Sequence, residues 1–229
     1  MSASAFNRKN STESGFTLVE IAIVLVIIGL LLGGILKGQE MITQAKIKNV
    51  VNDFNGITVA VTSYQDRYRF LPGDDKGASV RWTVQNPNSG DGNGVILGNY
   101  NASASNPPAA TEESNLFWWH LRIAGFVPGA TTGAASVTQP PNAAGGIIGV
   151  QNATTVAPAV GLGFTGLTIC SSNLPDKVAS AIDTQMDDGN SATGQVRAQS
   201  GGSNPPLAAT PASNYVETGV DQYLVCKVY

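Results

Sequence analysis

Two contrasting hydrophobic patterns lie end to end in the first third of the chain. Residues Phe16 to Leu36 read FTLVEIAIVLVIIGLLLGGIL, an apolar run carrying one charge, Glu20. At a helical rise of ~1.5 Å per residue this run spans about 31 Å, the thickness of a bilayer's hydrocarbon core. A cleaved secretory signal has a shorter apolar core and ends in a small-x-small site, so residues 16–36 are expected to form a retained transmembrane helix. Arg8 and Lys9 precede it, which holds residues 1–15 on the cytoplasmic side and sends the chain after Lys37 across the membrane. Beyond Lys37 the pattern becomes amphipathic. Ile47, Val50, Phe54, Ile57, Val61, Tyr64 and Tyr68 recur at alternating spacings of three and four, one stripe of a helix. The spacing predicts a half-buried helical stem over 37–70, flexing at Gly33-Gly34 and Gly38. A coiled coil with another copy is the rival account of the stripe. Too few heptads and no flanking charge pairs favour packing against the chain's own head.

Leu71-Pro72-Gly73-Asp74-Asp75 stops the stem, since proline removes a helical donor and glycine favours a turn. The remainder, 71–229, reads as one globular head rich in turns: Asn86 to Gly94, Asn106 to Pro108 and Asn204-Pro205-Pro206 punctuate it. Between them Glu112 to Ala124 has helical character, with Leu116, Trp119, Leu121 and Ile123 apolar. Apolar runs at 146–151, 163–170 and 223–229 read as strands. A second helix is expected over Pro175 to Met186, with Pro175 in its first turn and Val178, Ala181, Ile182 and Met186 on one face.

Composition sharpens this picture. Only 13% of residues are charged, while 26 glycines and 12 prolines imply long ordered loops. The net charge is −3, and from residue 70 onward six Lys and Arg face eleven Asp and Glu. Such a head repels a phosphate backbone, so no nucleic-acid partner is expected. The two cysteines, Cys170 and Cys226, suit one long-range disulfide in an oxidising compartment, clipping the last strand to the body.

Glu20 is the anomaly. A carboxylate that deep in an apolar helix costs on the order of 3 kcal/mol, and no basic side chain lies between Phe16 and Leu36. Cleavage between Gly15 and Phe16 would create an α-amino group one helical turn away, on the same chain or on a neighbouring copy. Gly15-Phe16-Thr17-Leu18-Val19-Glu20 with its apolar run resembles the N-terminal signal of type IV prepilins and type II secretion pseudopilins. The resemblance covers residues 8–40. It implies that a prepilin peptidase removes the leader 1–15 and methylates Phe16, and that Glu20 sets subunit register. It also implies an α+β, pilin-like fold: a long N-terminal transmembrane and amphipathic helix, then a small antiparallel sheet. The partners would be the peptidase, other pilin or pseudopilin subunits, the inner membrane and the assembly platform. Localisation would be single-pass in the inner membrane, head in the periplasm, and then a filament.

Other candidate chemistry is weaker. His120 is the single histidine, flanked by Trp118, Trp119 and Leu121, and no Gly-x-Ser-x-Gly elbow accompanies it, so no catalytic site is expected. A membrane-anchored periplasmic enzyme or binding domain with a borrowed N-terminus is the alternative from another class. Asp91-Gly92-Asn93-Gly94 resembles the start of a calcium loop, but Val95 occupies the next ligand position. Asp183, Asp187, Asp188 and Asn190 form a second acidic group at an expected helix end. Asp91, Asn93, Asp187 and Asp188 are therefore possible calcium ligands, with plain turn chemistry the preferred reading and no cofactor required. Trp82, Trp118 and Trp119 could stack sugars or bases but are read as core. Gly161-x-Gly163-x-x-Gly166 lacks the strand before it and the helix after it that a dinucleotide site needs.

Overall fold

The computed structural model describes residues 15–103, 112–153 and 161–229. Arg8, Lys9 and the Asn106–Pro108 turn lie outside these residues. The chain divides into two compact units, the first ending at Ile42 and the second running from Thr43 to Tyr229.

Helix α1 is continuous from Leu18 to Tyr68, passing through Gly33, Gly34 and Gly38 without a break. The helix keeps its regular form through these glycines despite their low propensity. In the first unit its apolar side chains are exposed, Leu18, Leu30 and Leu36 among them. It is long and apolar enough to cross a membrane. In the second unit Ile47, Val50, Phe54, Ile57, Val61 and Tyr64 are all buried, as the stripe predicts, and Tyr68 is half-buried. The helix ends at Arg69, whose φ of 64° leaves the helical region.

The head carries α2 (Ala78–Arg81), α3 (Glu113–Ile123), β1 (Ile148–Ala153), β2 (Gly166–Pro175), α4 (Asp176–Met186), β3 (Val196–Ser200) and β4 (Gln222–Val228). The four strands form an antiparallel sheet in the order β1-β2-β4-β3. Three strands and both longer helices fall within a few residues of their predicted positions. Pro175 closes β2 and caps α4 rather than entering its first turn. β3 escapes the sequence reading, because Val-Arg-Ala-Gln-Ser has no apolar run; only Val196 and Ala198 alternate inward.

The sheet is buried on both faces. Ile169, Val196, Ala198, Tyr223 and Val225 pack with the α1 stripe, Trp118 and the α4 residues Val178 and Ile182. Cys170, Leu224 and Cys226 turn the other way, joining Tyr100, Leu162, Phe164 and Leu207. This inside-outside alternation along β4 is the period of two that strand geometry imposes. Cys170 and Cys226 stand opposite one another in register and form the expected disulfide, which spans 56 residues. Closing a loop of that length contributes about 4 kcal/mol in the chain-entropy account.

Two glycines are positional necessities. A side chain at Gly149 would strike the Tyr100 carbonyl, where the loop before α3 crosses β1. Gly73, at φ 92°, lets the chain turn against α3, and a Cβ there would lie 2.5 Å from the Glu113 carbonyl.

Candidate functional site

The N-terminal segment places its groups as a helix start. Phe16 is 83% exposed and lies just outside α1. The Thr17 backbone N–H and Oγ1–H both donate to Glu20 Oε2 at 2.8 Å, and the Glu20 N–H donates back to Thr17 Oγ1 at 3.3 Å. This is a reciprocal capping box, and it satisfies helix-end donors while holding the carboxylate at the positive pole of the helix. Thr-x-x-Glu was legible in the sequence; reading Glu20 only as a charge in need of a cation missed it. Among the described residues the ion pairs are Lys37 with Glu40 at 2.7 Å and Arg81 with Asp75, so Glu20 has no cation of its own.

The acidic residues gather into two groups. Asp74, Asp91 and Glu113 bring carboxylate oxygens within 4.8 Å of one another, as do Asp183, Asp187 and Asp188. Asp74 Oδ1 accepts the Gly92 and Asn93 N–H groups at 2.7 and 3.0 Å, and Oδ2 accepts that of Gly94 at 2.7 Å. Glu113 accepts from Asp91 and Leu97 N–H. Burial raises both the Asp74 and the Glu113 carboxyl above the usual carboxylate range. These two anchors of the glycine-rich loop went unforeseen: Asp74 lies in the turn that ends the stem and Glu113 at the start of α3, both remote from the loop in sequence. Asn93 does not reach toward the group as a ligand: its amide donates to Asp91 Oδ2 at 2.7 Å and its oxygen accepts the Val95 N–H. In the second group Asp187 Oδ2 accepts the Gln195 and Val196 N–H groups, and Asp188 accepts from Asn190 N–H and Thr193 Oγ1–H. Asp183, part of the expected acidic group, accepts the Tyr215 hydroxyl at 2.7 Å. Either group could hold a hard cation through its remaining lone pairs; both already serve as acceptors that fasten turns.

His120 is fully buried. Its Nδ1 accepts the Gly73 N–H at 3.0 Å and its Nε2 donates to the Asn88 carbonyl at 2.9 Å, which fixes the neutral tautomer. Burial lowers its pKa to about 4. Beside it lies a polar network: Asp75 accepts the Tyr64 hydroxyl at 2.7 Å and the Arg81 guanidinium at 2.5 Å. The Arg81 guanidinium stacks over Tyr68 at 4.3 Å and Trp82 at 5.0 Å. Despite its own burial the Asp75 carboxyl lies below the ordinary range, because Arg81, Tyr64 and the Gly77 amide donate to it. Trp118 and Trp119 are buried in the core and Trp82 is half-buried against it. Gly161, Gly163 and Gly166 form the turn leading into β2 and carry no helix after it.

Residues 10–36 match the family model for the prokaryotic N-terminal methylation motif, the signature of type IV pilins and pseudopilins. The chain therefore has a type IV pilin-like or pseudopilin N-terminus, one that implies processing by a prepilin peptidase and assembly with other pilins. No curated protein matches the chain. Together with the apolar helix of the first unit, the motif is consistent with membrane anchoring.

Proposed function

We propose that this protein is a structural subunit, most simply a minor one, of a type IV pilus or type II secretion pseudopilus. Residues 1–15 are a cytoplasmic leader removed by prepilin peptidase, which then methylates Phe16. Until assembly the subunit is stored in the inner membrane by residues 16–36, with the stem 37–70 and the head 71–229 in the periplasm. It then enters the filament through α1, and Glu20 pairs with the Phe16 amino group of a neighbouring copy to set the register. The observation that carries this reading is Glu20: it sits inside the methylation motif, one turn from the cleavage point, on an exposed apolar helix that offers it no cation. The capping box holds the carboxylate at the helix start, within reach of a terminus created by cleavage.

The protein is not an enzyme on this reading. Its histidine is enclosed with both ring nitrogens engaged by backbone, which supports a structural role. Calcium is not required either, since backbone amides occupy the acidic loops. The test is co-expression with and without a prepilin peptidase, reading the mature N-terminus by mass spectrometry. A chain beginning at N-methylated Phe16 is expected. Glu20→Ala should still insert in the membrane but fail to enter filaments, and a variant that assembles normally contradicts the pairing.

A further inference from the structure

A groove of about 270 Å³ opens on the second unit, between α1 and the loops that follow α3. Its α1 side carries Asn52, Asp53 and Gly56, and its other side Phe126, Pro128 and Pro141. Gly56 keeps it open, since even a Cβ there would meet nothing within 4 Å. Charge in the groove is of one sign. Asp53 is the one ionisable residue lining it, is half-buried, and makes no ion pair among the described residues. Burial raises its carboxyl above the usual range, with no donor or cation acting in the opposite sense. An arriving cation would restore to the carboxylate what partial desolvation takes from it.

Shape and size narrow the occupant. Ligand pockets for whole small molecules run from about 300 to 1,000 Å³, so this groove is matched to one side chain. A lone carboxylate beside proline and phenylalanine suits a compact ammonium on a flexible apolar stem, the description of lysine. The methylene stem lies on the Phe126, Pro128 and Pro141 wall while the ammonium meets Asp53, with the Asn52 side-chain oxygen beside it as a second acceptor.

We propose that this groove is a docking site for a lysine side chain of a different pilin subunit, paired with Asp53. The inference rests on the reading of the chain as a filament subunit, which supplies such a neighbour. A subunit present in small numbers meets subunits of other kinds, so the lysine belongs to one of them. It needs no particular register, because every wall of the groove stands in the second unit.

The test uses the full chain in cells carrying a prepilin peptidase and a pilus assembly system. Sheared filaments are treated with a water-soluble carbodiimide, which joins a carboxylate to an amine only where the two touch, and the linked peptides are read by mass spectrometry. An amide between Asp53 and a lysine of another subunit type is expected, and Asp53→Asn should abolish it. Asp53→Asn should lower incorporation about fivefold, whereas Asp66→Asn, which removes an exposed carboxylate of the same helix outside the groove, should leave it within about twofold. Gly56→Leu fills the groove without altering charge and should lower incorporation as far. Leucine is the better helix former at this exposed position, so an unlowered melting temperature would show that the loss is not misfolding. Filaments of mature Phe16 subunits that incorporate both groove variants normally, or that yield no Asp53 linkage, would overturn the docking site and leave the proposed function standing. Linkage of Asp53 to a lysine of a second copy of this chain would overturn the assigned partner. Failure of the unmodified chain to enter filaments at all would overturn the proposed function and the docking site together.

Discussion

His120 gives the head a defined response to acid. The perturbation is a fall in pH from 7 to 4, compared between the natural chain and His120→Gln, which has no titrating ring. In the folded head Nδ1 must accept the Gly73 N–H, so a proton placed there would set donor against donor while charging a ring packed near Tyr64 and Trp82. Burial lowers the pKa from 6.5 to about 4, with the Asn88 carbonyl and the Asp75 charge acting in the opposite sense. The unfolded chain therefore binds more protons than the folded one between these values. Stability is intact above pH 6.5, falls as the pH drops through the window, and has lost its full increment by about pH 4. The difference corresponds to about 3 kcal/mol. Asp74 and Glu113 oppose this trend, because raised carboxyl pKa values favour the folded state on mild acidification. Asp75, held low, adds to the loss only nearer pH 4 and below. All three are common to both proteins and cancel in the comparison. The assay is urea unfolding of residues 43–229, followed by tryptophan fluorescence at pH 7, 6, 5 and 4 with the disulfide intact. The natural chain should lose about 3 kcal/mol more than His120→Gln over this range. Parallel curves would refute the reasoning and mean that His120 is neither desolvated nor locked in one tautomer.

Arg122 is buried on α3 and donates to the Ala135, Ser136 and Thr138 carbonyls at 3.1, 2.7 and 2.8 Å, pinning the loop that follows. Arg122→Met should cost about 2–4 kcal/mol in chemical unfolding and speed proteolytic cutting between 129 and 138, because three carbonyls lose a charged donor. Asp91 is the exposed member of the Asp74–Asp91–Glu113 group. In buffer with a calcium chelator, Asp91→Asn should raise the melting temperature by about 1–2 °C through relief of like-charge repulsion. A fall that appears only when calcium is supplied would instead assign the group to a bound cation.

The large elements were legible because each has a long, unambiguous period. The apolar run and the three-four stripe fix α1 almost to the residue, and the Phe54 and Val61 side of the stripe lies where the core is. Cys170 and Cys226 declared a crosslink, though not that they face each other across neighbouring strands. β3 was hidden since two inward residues in a five-residue strand are too few to show a period. The same limit applied to the acidic groups. Asp91 advertised itself in a glycine-rich loop, but Asp74 and Glu113 come to it from a turn and a helix, 17 and 22 residues away in sequence, through contacts that only the fold creates. Thr17 was the opposite case, a local signal overshadowed by the acid it caps.

The place of β4 between β2 and β3 governs when the head can form. Among the described strands β3 pairs with β4 alone, so as the polypeptide emerges it has no strand partner until residues 222–228 follow it. β2 likewise keeps one edge open, and Cys170 stays a thiol, until that same segment arrives with Cys226. Completion of the sheet and closure of the crosslink are therefore simultaneous late events, and a chain interrupted before Gln222 would display two naked strand borders prone to adhere to other chains.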